Sequence, residues 1–94
     1  MTALTNFKKV IGKELHGSGG KFLTRCVMSG CNDYTTVNLR TASYRLDYHN
    51  KLLLIELLKA MILKEDEIWD DQEIMAWIEK NQPYVFKEAM KNTH

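Results

Sequence analysis

Three features of the 94-residue sequence predict a small α+β domain, residues 1–94, with an N-terminal helix, a short antiparallel sheet of two or three strands, and then three helices. Apolar residues recur at helical spacing before residue 16 and after residue 50. Between these regions, segments 21–28 and 34–40 are rich in β-branched and aromatic residues and flank a turn-forming cluster, Ser29, Gly30, Cys31, Asn32 and Asp33. The overall balance, 45% hydrophobic and 27% charged, is that of a globular chain with one modest core.

The first helix is expected over residues 5–15, because Leu4, Phe7, Val10, Ile11 and Leu15 share one face while Lys8, Lys9, Lys13 and Glu14 lie off it. Gly17 supplies its stop and Gly19 and Gly20 a connector. Segments 21–28 and 34–40 then form a hairpin, and Ala42, Tyr44, Leu46 and Tyr48 alternate with polar residues as a third strand would. Asn50 is placed to cap a helix over 51–64, apolar on nearly every side and so expected to be the central, most buried element. Asp70 and Glu73 have the spacing of a capping box, with Trp69 and Ile74 placed as a hydrophobic staple. The helix they start turns Ile74, Trp77 and Ile78 inward, and Pro83 opens a last helix whose apolar side is Val85, Phe86, Ala89 and Met90.

The stretch HGSGGKF, residues 16–22, has the composition of a phosphate cradle. A P-loop needs a strand before its glycines and a helix after them, so that backbone N–H groups converge on phosphate. In the predicted order the helix comes first, and Lys21 enters a strand, so no nucleotide site is expected. Cys26 and Cys31, with His16 and His49, are the only metal set available, and they lack the paired short spacings of a zinc site. A hairpin would bring the two cysteines within reach of a disulfide. Glu65, Asp66, Glu67, Asp70 and Asp71 lack the pattern of a calcium loop and serve as caps and a wet turn. No catalytic set, cofactor or metal is expected, and the chain reads as non-enzymatic.

Charge is distributed unevenly. Residues 1–51 carry eight basic and three acidic side chains, a net +5, whereas residues 52–94 carry five basic and nine acidic ones, a net −4. The absence of an apolar leader or of any run approaching the ~20 residues that span a bilayer points to a soluble, cytoplasmic protein without membrane contact. The expected function is regulation or inhibition of a protein partner by surface complementarity, a description that a small viral or mobile-element accessory protein would fit. The alternative is nucleic-acid binding through the basic half, with Lys21, Arg25, Arg40, Arg45 and Lys51 neutralising phosphates while Tyr44 and Tyr48 stack on bases from a sheet surface. The apolar helix over 51–64 would hold the core and is a candidate to extend into a homo-oligomer interface. It also carries Leu54, Leu57 and Leu58 at the spacing of an LxxLL docking motif, which is read as core.

Overall fold

A computed structural model of the chain describes residues 2–13, 18–64 and 69–91. These contain six α-helices and one 3-10 helix, and no strand occurs among the described residues. The α+β expectation is therefore overturned: the fold is all-α.

Helix α1 (Ala3–Lys13) starts two residues earlier than its apolar pattern indicates, because Thr2 caps it by accepting from the Thr5 N–H at 3.1 Å. Phe7 and Ile11 are its buried residues, and the helix lies against α4. The predicted stop at Gly17 lies outside the described residues. Ser18, Gly19 and Gly20, expected as a connector, belong to the first turn of α2 (Ser18–Ser29), and so does Lys21, which enters no strand.

Helix α2 replaces the first predicted strand. Its residues Phe22, Leu23, Cys26 and Val27 recur at i, i+1, i+4 and i+5, a helical spacing, and Thr24 and Met28 are buried beside them. Short apolar runs that are buried all round do not distinguish strand from helix by periodicity. Thr24, a strand-favouring residue, is accommodated because its hydroxyl donates to the Gly20 carbonyl one turn back at 2.9 Å. α2 packs against α3, α4, α5 and α6, so it, rather than the helix expected at 51–64, is the central element.

The predicted hairpin turn is the C-terminal end of α2. The Cys31 N–H donates to the Met28 carbonyl at 2.9 Å, and the Asn32 amide donates to the same carbonyl at 3.0 Å. Asn32 Oδ1 then accepts from the N–H groups of Tyr34 and Thr35, both at 2.8 Å, and reverses the chain. The second and third predicted strands are likewise absent. Residues 35–38 form no regular element; Asn38 caps a 3-10 helix (Leu39–Thr41) that runs directly into α3 (Ala42–Arg45). In the third segment Leu46 alone is buried, so its alternation reflects a short helical turn followed by a cap and not a pleated surface.

Helix α4 (Tyr48–Leu63) begins earlier than predicted, since its cap is Asp47, not Asn50. Asp47 Oδ1 accepts from the Asn50 N–H at 2.9 Å. Lys64 ends it in the left-handed conformation (φ 53°). Helix α5 (Asp71–Asn81) starts as predicted: Asp70 Oδ1 accepts from the Glu73 N–H at 3.1 Å, with Trp69 and Ile74 buried on either side of the cap. Helix α6 (Pro83–Lys91) opens on Pro83 and buries Val85 and Ala89.

One hydrophobic cluster joins the helices. Gly30 makes a close contact possible within it: a Cβ at this position would fall 2.6 Å from Met61 Sδ and 3.2 Å from Met61 Cβ. The Gly30 carbonyl also accepts from the Trp69 indole N–H at 3.2 Å, tying the end of α2 to the segment that leads into α5.

Candidate functional site

Helix α4 presents two apolar faces, and only one is used by the core. Leu54, Leu57 and Ala60 are buried, with Leu58 half-buried, so the leucines of the LxxLL spacing point largely inward. On the opposite side Tyr48, Leu52, Ile55, Lys59 and Ile62 follow one another at intervals of four, three, four and three residues, and all are exposed. Ile55 is 49% exposed and Ile62 73%, and Leu63 widens the stripe at its C-terminal end. Spanning fifteen residues, from Tyr48 to Ile62, the stripe runs about 21 Å along the helix. An exposed apolar row of this length, rimmed by charge, is the usual mark of an interaction surface.

The rim is specific. Glu56 and Lys59 form an ion pair at 3.3 Å, both side chains 59% exposed, with Glu56 on one edge of the stripe and Lys59 within it. Lys51, half-buried, borders the other edge. Beside the stripe, a groove of about 440 Å³ lies between α1 and α4, lined among others by Val10, Leu52 and Leu53, with His49 and Glu56 also on its wall. Leu52 and Glu56 belong to both features, so the groove extends the same surface.

The residues predicted to hold a macromolecule are placed as follows. Arg40 lies on the 3-10 helix, Tyr44 and Arg45 on α3, and Tyr48 and Lys51 on the first turn of α4; all but Lys51 are exposed. Lys21, exposed, and Arg25, half-buried, come from α2, which packs against α3. The surface on which these residues were expected to lie does not exist as a sheet. The helix carrying Leu52, Ile55, Ile62 and Leu63 was expected to be the most buried element, with a homo-oligomer interface as its candidate extension, and the outward-facing apolar residues were not told apart from the core ones. The signal that could have found them is the second i, i+4, i+7 row on a helix whose first row already suffices to bury it.

Both cysteines are free. They lie on one helix and the turn that ends it, not across a hairpin, so the proposed disulfide has no structural counterpart. Burial pushes the Cys26 thiol up to about 12. Cys31 also reaches about 12, chiefly through burial and then the carboxylate of Asp71, with Asp70 adding and the Trp69 hydrogen bond and Lys64 opposing. Thiols held protonated in this way are poor nucleophiles. Among the described residues no three His, Cys, Asp or Glu side chains are grouped to hold a metal ion, and no helix is long and apolar enough to cross a membrane. His16, Glu65, Asp66 and Glu67 lie outside the described residues.

No protein family, curated protein sequence or solved structure matches this chain.

Proposed function

We propose that the chain is a small non-enzymatic binding protein that acts on a protein partner through the outer face of α4. The observation that carries this reading is the row of Tyr48, Leu52, Ile55 and Ile62, exposed on a helix whose opposite face already fills the core. Leaving Ile62 in water forgoes burial worth about 1.5–2 kcal/mol, and the half-covered Leu52 and Ile55 about 1 kcal/mol each. Lys59, Glu56 and Lys51 give the apolar row a charged border, which would set orientation more than strength.

The test is site-specific photocross-linking in the native cell. A photoreactive residue at Ile55 or Ile62 should yield protein adducts that survive nuclease treatment, whereas the same residue at Tyr84, exposed on α6, should not. Adducts of equal yield from all three positions, or none from α4, would refute the reading.

Nucleic-acid binding is a second reading, favoured by one observation: Arg40, Tyr44, Arg45 and Tyr48 are all exposed within a nine-residue stretch of the basic half. Such a surface would bind with affinity that falls steeply with salt. Changing Arg25, Arg40 and Arg45 together to Ala would then abolish an electrophoretic shift, and an unchanged shift would remove these residues from the interface.

A further inference from the structure

Resting on the reading of α4 as a docking surface, we infer that its occupant is a second copy of this chain, bound with the two α4 helices antiparallel about a twofold axis near residues 57 and 58. The argument is one of charge. The exposed row has the alternating four- and three-residue spacing of a two-helix seam, with a single lysine, Lys59, inside it, one acid, Glu56, on one edge and half-buried Lys51 on the other.

Parallel alignment of two such helices sets Lys59 against Lys59 of the partner subunit inside the seam, and Glu56 against Lys51 of the partner subunit at the rim. The first juxtaposition places two like charges where water is excluded, and a rim pair worth little does not offset it. Antiparallel alignment about that axis instead brings Glu56 near Lys59 of the partner subunit, twice by symmetry. The intrachain pair at 3.3 Å then becomes half of a four-charge ring. The same register sets Leu52 opposite Ile62 of the partner subunit and Ile55 opposite the aliphatic stem of Lys59 of the partner subunit. Leu63 flanks Leu52 of the partner subunit. Every apolar member of the row from Leu52 onward thus meets an apolar group, and the lysine can bury its methylenes while its ammonium stays at the charged edge. A slip of one turn that brings residue 59 onto the axis pairs lysine with lysine, so the polar position disfavours that register as well as the parallel direction. The interface is isologous: one patch serves both copies, and the contact closes at two.

The test is sedimentation of the full chain between about 1 μM and about 1 mM, with two charge variants purified separately. The parent should pass from monomer to dimer across this range. Glu56→Lys and Lys59→Glu should each weaken self-association by about tenfold or more, since each places four like charges in the ring. Mixed in equal amounts they should form a heterodimer at least as tight as the parent, because each supplies the charges the other lacks. Ile55→Glu should be monomeric with an unchanged circular dichroism spectrum, which separates lost association from lost folding. A parent that remains monomeric to about 1 mM, a dimer indifferent to Ile55→Glu, or a mixture no more associated than its components would overturn the inference. A monomeric parent whose Ile55 cross-links to a different protein refutes the second copy while leaving the docking surface intact. Absence of any adduct from α4 removes both.

Discussion

The indole of Trp77 leans on the ring of Phe7, with centroids 5.8 Å apart and planes inclined at 58°, and the Lys8 ammonium sits 5.4 Å from the centre of the Trp77 ring. Phe7 is buried whereas Trp77 is only half-buried, so the pair lies at the edge of the core, where α5 reaches across to α1. Phe7→Ala should destabilise by about 3–5 kcal/mol, as a full core truncation. Trp77→Ala should cost less, about 2–3 kcal/mol, because part of its surface is already wet. The double variant should cost less than the sum by about 0.5–1.5 kcal/mol, the part that belongs to the ring pair. Urea denaturation of the four proteins measures this; strict additivity would show the rings to be independent.

Gly30→Ala should destabilise by about 1–3 kcal/mol, because the new methyl group must displace Met61. The thioether can swing away, but the Met61 Cβ, 3.2 Å from the added atom, is fixed by the α4 backbone. In a Met61→Ala background the same substitution should be milder. Equal costs in both backgrounds would place the penalty on the Met61 Cβ contact, which alanine retains, and not on the thioether.

Asp47→Ala and Asp70→Ala each remove a carboxylate that caps a helix, accepting at 2.9 Å and 3.1 Å respectively. Each should lower stability by about 1 kcal/mol, and Asn at either position should restore most of it. Thermal melts of the Ala and Asn variants decide the matter; an Asn variant no better than Ala would point to charge, not the hydrogen bond, as the source.

The thiols make stability depend on alkaline pH. The ordinary Cys value is 9.0 and the folded values are about 12, so between these limits the unfolded chain binds fewer protons than the folded one. Stability therefore falls as pH rises: the thiol contribution is fully present below about 9 and is lost through about 12. All other ionisable groups are common to the parent and a Cys26→Ala, Cys31→Ala variant, so the comparison isolates the thiols. The parent should lose more stability between about pH 8 and about pH 10.5 than that variant does. Equal losses would show that the thiols ionise as readily in the folded protein.

What the sequence reveals about this fold depends on whether a signal is local. The start of α5 is written in Asp70, Glu73, Trp69 and Ile74, all within one turn, and the structure has it there. Pro83 opens α6 for a similarly local reason. α2 is different: Phe22, Leu23, Cys26 and Val27 have a helical spacing, but the run is short and rich in strand-favouring residues, so it reads as readily as a strand. Only the presence of helices on several sides makes it a helix, and that is tertiary information. The same difficulty in reverse concealed the outer face of α4. A helix apolar all round reads as buried all round, and nothing local says which side the rest of a short chain can cover.

The helix at the centre of this protein is poorly equipped to exist by itself. Its first turn holds Gly19 and Gly20, and its middle carries the β-branched Thr24 and Val27, a sequence that would be mostly coil in isolation. α2 should therefore acquire order only as its neighbours close on it, making the whole fold rise and fall together. Leu23 and Val27, fully enclosed, should release their amide hydrogens to deuterium only through global opening, while α1, which packs chiefly on α4, should exchange at lower cost.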